Sequence, residues 1–331
     1  MFAVGIETSC DETCSAIVRD KIVVSSATVS SLKYHKKYGG IIPEIATRNH
    51  LKFIDKVFSL SLQEAGITSK QIGVIGVTHR PGLVGALVVG LNFAKALSVA
   101  LGKPFLGINH LYAHLFAPFL DLKLKRIPFP FVGLVVSGGH TELFLVKDFD
   151  SIQTLGKTRD DACGEVFDKV ARVFGLGYPG GVYIDKIFSL KDKDSFEFKC
   201  PRIGFDFSFS GIKTALIYKK MSLEKNRPLD KKTRVRILSS FQESVVTALV
   251  QSTIEAAKKS KVQHIVCGGG VTANSRLRQV FKEKCTQEKI GLFLPPRQYA
   301  TDNAAMVAGL TFYLYNNKKK VSPLSLQAKG N

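Results

Sequence analysis

The 331 residues predict an α/β fold of two similar lobes. Three observations carry that prediction. First, FAVGIETSCDETCSAIVRD (2–20) and FVGLVVSGGHTELFLVKD (131–148) superimpose without a gap when offset by 128 residues. Val4-Gly5-Ile6 falls on Val132-Gly133-Leu134, Ser9 on Ser137, Thr13 on Thr141, and Val18-Arg19-Asp20 on Val146-Lys147-Asp148. Each copy is an apolar β-branched run, a turn and a second apolar run, the pattern of a β-hairpin. Second, copies half a chain apart are too widely spaced for a solenoid. They suggest lobes that each open with the same hairpin, the loops facing one another across a cleft. Third, strand, turn, helix and strand alternate through QIGVIGVT, PGLVGALVVGLNFAKALSVALG and KPFLGINH, which is βαβ architecture.

The elements follow in order. Residues 21–31 form a third strand and its exit. Gly39-Gly40 turns the chain, and Pro43 opens a helix whose Leu51, Ile54, Val57, Phe58 and Leu62 keep helical spacing until Gly66 stops it. His110 begins a short helix at the end of KPFLGINH. The second lobe starts at Phe131. DDACGEVFDKVARVFGLGYPGG is a helix with Val166, Val170, Val173 and Phe174 on one face, ending in a Gly/Pro turn from Gly175 to Gly181. The charged stretch 191–199 is expected to be exposed. FDFSFSGIKTALI alternates Phe with polar residues and then turns helical. VRILSSFQESVVTALVQSTIEAAKKSK is a long amphipathic helix. HIVCGGGVTANSRLRQVF is strand, triple-glycine turn and helix, the form in which backbone amides at a helix N-terminus meet phosphate. A strand at 292–294, Pro295-Pro296 and a final helix opened by Thr301-Asp302-Asn303 complete the chain. The boundaries expected are 1–130 for the first lobe, with the C-terminal helix (about 306–331) packing back on it, and 131–305 for the second.

Composition narrows the function. Forty-seven Lys and Arg against 27 Asp and Glu give a formal charge of +20, a field that favours polyanions, nucleic acid foremost. The densest basic run is LIYKKMSLEKNRPLDKKTRVR, a candidate phosphate contact or a solvated loop. Six scattered cysteines include no CxxC pair, against a zinc ribbon. Asn92 and Lys95 interrupt the longest apolar stretch, against a membrane span. Reduced thiols and the lack of a leader point to the cytoplasm, with no membrane partner.

Several side chains carry chemistry. His110 and His114, at i and i+4, lie on one helix face and can share a metal or serve the structure. The residues between them are Leu, Tyr and Ala, so the glutamate base of a zinc protease is missing. Asp161, Glu165 and Asp168 gather near one helix start, where carboxylates are often dipole partners; Asp168 lies too far in for that role alone. Asn274 follows the triple-glycine turn, where its amide could reach a ligand. Asp302 is either a helix-start carboxylate or a ligand aimed into the cleft.

Taken in order, GIETSCDET (5–13), PGLVGAL (81–87), the His110/His114 pair, VSGGHT (136–141), GEVFDKVARVFGLGYPGG (164–181), DFSFSGIKT (206–214), GGGVTANSRLR (268–278) and TDNAAM (301–306) resemble the TsaD/Kae/Qri family. The Ser-Gly-Gly-His-Thr form resembles its bacterial and organellar branch. The resemblance covers nearly the whole chain. It implies an actin/Hsp70/sugar-kinase-like (ASKHA) fold with duplicated lobes around a nucleotide cleft. It implies transfer of a threonylcarbamoyl group from threonylcarbamoyl-adenylate to the N6 amine of the adenosine adjacent to the anticodon, in tRNAs reading codons that begin with adenine. It further implies one divalent metal, Fe or Zn, on His110, His114 and Asp302. The adenine nucleotide would lie against Val135, Val136, Ser137, Gly138, Gly139, Asp168, Gly181, Asp185 and Asn274. Asp11 and Glu12 are candidate bases for the attacking amine, with His140 as rival. The implied partners are tRNA and, in the bacterial arrangement, a shortened paralogue of the same fold and a small ATPase.

The chain departs from the family at Thr78-His79-Arg80 and at Val182. Valine at 135 stands where another branch places a Tyr ligand. An ASKHA-type ATPase or kinase is the alternative reading and would not need the His pair; a metalloprotease is disfavoured.

Overall fold

The N-terminal copy of the repeat folds as β1 (Phe2–Glu7) and β2 (Glu12–Arg19), antiparallel, with Gly5 opposite Ala16. The computed structural model describes every residue except 36, 37, 123, 125, 226 and 331. Next come β3 (Ile22–Ser30), α1 (Leu32–His35), α2 (Pro43–Ala65), β4 (Ile72–Arg80), α3 (Val84–Leu101), β5 (Phe105–Asn109) and α4 (His110–Phe116). The strands form one sheet in the order β3-β2-β1-β4-β5. β1, β4 and β5 run parallel, and β2 pairs antiparallel with both β1 and β3, so only the hairpin side needs tight turns. Val4, Ile6, Ile17, Ile75, Val77 and Leu91 make the core of this part.

The second copy folds as β6 (Phe131–Val136) and β7 (Thr141–Asp148), with Gly133 opposite Phe144. The repeat therefore holds at the level of hydrogen-bond register. β8 (Ser151–Lys157), α5 (Cys163–Val173), α6 (Gly180–Ile187), β9 (Arg202–Ile203), β10 (Asp206–Phe207), α7 (Ser210–Glu224), α8 (Lys231–Lys259), β11 (His264–Gly268), α9 (Ser275–Gln287) and β12 (Gly291–Phe293) follow. The second sheet has the order β12-β11-β6-β7-β8, the first sheet's order with each strand replaced by its counterpart. This is the duplicated α/β arrangement of the ASKHA class that the resemblance implies. Its core is larger and includes Phe167, Phe207, Phe209, Phe241 and Phe281.

The chain divides into two compact units, Met1–Ile127 with Pro295–Asn331, and Pro128–Leu294. The last helix, α10 (Ala304–Lys318), belongs to the first unit and covers β1 and β4. A Cβ on Gly5 would lie 2.3 Å from Ala304 O, and one on Gly76 would lie 1.8 Å from Thr311 Oγ1. Glycine at both positions is what lets the helix seat on the sheet. Beyond α10, Ser322 N donates to Phe105 O and Lys329 N to His79 O, so the tail runs along the open edge at β5 and caps unpaired strand groups. His79, one of the departures from the family, faces this tail.

Two elements differ from the sequence expectation. β8 pairs antiparallel with β7 over residues for which the sequence pattern signals no strand. Gly180 and Gly181 open α6 instead of ending a turn. Glycine is a poor helix former, but the Asp168 carboxylate accepts Gly180 N at 2.6 Å and supplies the missing cap from another helix. α3 is long and apolar enough to cross a membrane by length and composition, with a mean hydropathy of 1.8. Its Ala86, Leu87, Leu91 and Ala94 are nonetheless buried, against β4 and α2.

Candidate active site

In the first unit, Asn109 ends β5 and caps α4, its side chain accepting from Leu111 N and Tyr112 N. That cap fixes the start of the helix at His110. The His110 and His114 rings lie one turn apart, with centroids at 4.6 Å and planes at 78°. Asp302 Oδ1 lies 3.0 Å from His114 Nε2 and 3.5 Å from His110 Nε2. Asn303, not Asp302, caps α10, accepting from Met306 N at 3.0 Å. Asp302 is thereby released from a capping role and turned toward the two imidazoles. One potential ligand atom from each residue falls within 4.8 Å of the others.

The donor set fits a divalent cation. Two imidazoles and one carboxylate are the ligands of zinc or iron sites, and three protein ligands leave positions open for substrate. His114 faces Asp302 through Nε2, and its Nδ1 is buried with no hydrogen-bond partner among the described residues. Without a cation, a proton takes up the negative charge. Burial disfavours protonation of His110, yet the charges of Asp302 and Glu7 outweigh it and raise His110 to about 10. His114 moves down, through burial and the adjacent charge on His110. Burial opposes ionisation of Asp302, but His110 and His114 hold its carboxyl well below the carboxylate range.

Asp11 and Glu12 lie on the β1–β2 loop of the same unit. Ser31 N and Oγ both donate to Asp11 O, and the buried His50 touches Cys10 O through Nε2 and Thr13 Oγ1 through Nδ1. Burial, then the charge of Asp302, raises Asp11, whose carboxyl shares a hydrogen bond with Cys10. Glu12 makes no side-chain hydrogen bond among the described residues. Burial and then the charges of Asp302, Asp11 and Glu7 push it up to about 8.

The remaining candidates lie in the second unit. Ser137 N donates to His140 O and His140 N to Ser137 Oγ, closing the β6–β7 turn. A Cβ on Gly138 or Gly139 would meet nothing within 4 Å, so the backbone there is open to a ligand. Val135 and Val136 are buried in β6, where they can offer only main chain. Gly268 pairs with Val135, and Val136 O leaves Gly269 no room for a Cβ, so the triple-glycine turn abuts the hairpin loop. Asp168 is the α6 cap described above; burial raises it to about 6 against the Gly180 amide. Gly181 lies on the first turn of α6. Asp185, on the same helix, accepts Ser275 N at 2.9 Å and Gln242 Nε2 at 3.2 Å. Asn274 caps α9 through Leu277 N and donates an amide hydrogen to Gln242 Oε1.

The structure thus joins Asp11, Glu12, His110, His114 and Asp302 in one unit, and the residues assigned to the nucleotide in the other. Two participants escape the sequence reading. Glu7 touches His110 from the end of β1, and the fully buried Gln242 links Asp185 to Asn274. Both carry a signal: an acid on a buried strand, and a glutamine on the stripe of Leu238, Val245 and Leu249.

The family model described as TsaD, tRNA N6-adenosine threonylcarbamoyltransferase, matches residues 22–309. A protein of that name from Thermosipho africanus is 46% identical over 97% of this chain and 96% of its own length. Another, from Caldicellulosiruptor saccharolyticus, is 45% identical over 95% of this chain and 93% of its own. Among solved structures, component A of the Acidaminococcus fermentans (R)-2-hydroxyglutaryl-CoA dehydratase has a TM-score of 0.54 at 14% identity, covering 97% of this chain and all of that one. HypF from T. kodakarensis has a TM-score of 0.62 at 14% identity, over 96% of this chain and 48% of that one. At these identities the structural likeness is one of fold.

Proposed function

The chain belongs to the tRNA N6-adenosine threonylcarbamoyltransferase family, and from that premise we propose how its residues divide the work. It is a transferase that modifies tRNA, carrying a threonylcarbamoyl group to the N6 amine of the adenosine beside the anticodon in tRNAs reading codons that begin with adenine. The convergence of His110, His114 and Asp302 within 4.8 Å, in the unit that carries Glu12, supports placing the acyl chemistry there.

The donor is threonylcarbamoyl-adenylate, a mixed anhydride. Its adenylate lies against the open backbone of Gly138 and Gly139 and the start of α6 at Gly181. Asp168 holds that helix start through Gly180 N, and Gln242 keeps Asp185 and Asn274 in register behind it. His110, His114 and Asp302 would hold the cation, Fe or Zn, and the group would supply Lewis acidity to the carbamoyl carbonyl. The adenosine amine forms the new C–N bond, the bond from carbon to the phosphate oxygen breaks, and AMP leaves. The amine is a weak nucleophile and must lose a proton. We assign that proton to Glu12, whose carboxyl has no hydrogen-bond partner among the described residues; the charges that keep it protonated in the metal-free protein, Asp302 first, would be offset by a bound cation, leaving the carboxylate free to accept. Asp11 shares its carboxyl with Cys10, and His140 sits in the other unit.

The tRNA contact falls on the basic run 219–236, across the end of α7 and the start of α8. Asn226 within it lies outside the described residues. Lys219 and Arg236 both lie over the Phe196 ring, and Tyr218 beside them is exposed, an arrangement suited to phosphate and base. A shortened paralogue and a small ATPase complete the bacterial-type assembly. Exposed Leu51 and Leu60 on α2 and Val84 and Val88 on α3 support a protein contact on the first unit. Action on tRNA assigns the protein to the cytoplasm.

A transfer assay tests the whole reading. Metal-loaded protein, preformed threonylcarbamoyl-adenylate and unmodified tRNA are mixed, and the digested nucleosides are weighed. Threonylcarbamoyladenosine is the expected product. Its absence with the pure protein and again with added cell extract refutes the assignment.

A further inference from the structure

We propose that Glu7 is a positioning residue for the cation site: it holds the proton of His110 on Nδ1 and so presents Nε2 as the ligand atom. The proposal rests on the reading of His110, His114 and Asp302 as that site. Glu7 is the last residue of β1 and is fully buried. A buried carboxylate must be hydrogen-bonded or it destabilises the fold, and this one accepts from three different segments. Ser9 N donates to Oε1 at 2.6 Å, Thr78 Oγ1 from β4 donates to Oε2 at 2.6 Å, and His110 Nδ1 lies 3.1 Å from the same Oε2.

An ionised carboxylate can only accept, so the nitrogen facing it carries the hydrogen. A neutral imidazole has a single N–H, and placing it on Nδ1 leaves the lone pair on Nε2, toward Asp302 and His114. Ser9 Oγ, also 3.1 Å from Nδ1, supports the same orientation from the loop. Glu7 lies behind the ring, on the nitrogen opposite the cluster, and is not itself one of the converging ligands. A carboxylate behind a ligating imidazole fixes its tautomer and strengthens its donation, and loss of such a partner typically costs about 10–100-fold in metal affinity.

Thr78 belongs to the same device. Its hydroxyl occupies one lone pair of Oε2 and locks the carboxylate plane, so that the second lone pair points at Nδ1. Thr78→Val keeps the shape and removes only this donor. Glu7→Gln keeps the shape of the acid but replaces one acceptor oxygen by a donor, which meets Ser9 N or the Thr78 and His110 pair with the wrong sign.

The test uses Co2+ as a spectroscopic probe on the full chain. Apo-protein is titrated with Co2+, and the dissociation constant and visible d–d bands are recorded for wild type, Glu7→Gln, Thr78→Val and His110→Ala, with circular dichroism to confirm folding. The expected result is about 10–100-fold weaker binding with altered bands in Glu7→Gln. Thr78→Val should show a smaller loss in the same direction, and His110→Ala no site at all. Wild-type affinity and unaltered bands in folded Glu7→Gln overturn the proposal while leaving the cation site standing. Should Glu7→Gln fail to fold, Thr78→Val decides alone: wild-type affinity and bands overturn the proposal, and weakened binding with shifted bands supports it. If wild type and His110→Ala bind Co2+ equally, the cation site itself falls and the role of Glu7 with it.

Discussion

Replacing Glu12 by Gln should stabilise the metal-free protein while abolishing transfer. In the fold the Glu12 carboxyl is raised from an ordinary 4.5 to about 8, by burial and by the charges of Asp302, Asp11 and Glu7. Between those two values the unfolded chain is ionised and the folded chain holds the proton. The unfolded state then binds fewer protons, so stability falls as pH rises across the window. At about 1.4 kcal/mol per pKa unit the full shift corresponds to about 5 kcal/mol, and partial solvent access reduces it to about 2–4 kcal/mol. Glutamine imitates the protonated acid and does not titrate. Urea unfolding in the presence of a chelator should show the two proteins equally stable at pH 4, and Glu12→Gln ahead by about 2–4 kcal/mol at pH 8. Transfer at saturating metal should be lost in the same variant although metal content is retained. Parallel pH dependences in the two proteins would refute the buried, charge-crowded environment assigned to Glu12. Full activity in the variant would remove it as the proton acceptor. A residue that weakens the fold it occupies is expected where function selects the side chain.

Other outcomes follow from the same geometry. His110→Ala should lose metal and transfer together, measured by elemental analysis and nucleoside mass; wild-type metal content would remove it from the ligand set. Asp168→Asn should weaken AMP binding by calorimetry with metal content unchanged, because Gly180 N loses its carboxylate cap at the start of α6. Asn274→Ala should lower stability by about 1 kcal/mol in urea unfolding, the usual effect of deleting a helix cap. It should also free Gln242 and weaken AMP binding. Reversing Lys219, Lys225, Lys231 and Lys232 to Glu should weaken tRNA binding and flatten its dependence on salt. Unchanged affinity would move the RNA contact to another face.

Much of this architecture is written in short-range patterns. The hairpins are legible because alternation and β-branching act over a few residues, and the offset of 128 extends to paired registers. The same offset carries β3 onto residues 150–158, where β8 lies. That strand was hidden only because SIQTLGK has a mostly polar exposed face. α6 could not be read, since Gly180-Gly181 signals a turn locally and its cap arrives from Asp168 on another helix. The choice between cap and ligand at Asp302 was equally closed to local reading, because the neighbouring Asn303 can satisfy the same helix end. His50 and Gln242 act through partners 40 and 57 residues away, so their burial marks them but their bonds do not follow from spacing.

The split composition of the first unit has a consequence for how the protein is made on the ribosome. Asp302 is translated 188 residues after His114. At about 5–20 residues per second the interval is about 10–40 s. Meanwhile residues 128–294 contain all the strands of their own sheet and can close it, but β1 still lacks the helix whose Ala304 and Ala308 fill the slot at Gly5. A nascent chain therefore offers an ion two imidazoles and no carboxylate from Asp302. The three-residue cluster can form only once the segment that completes the first sheet has been made.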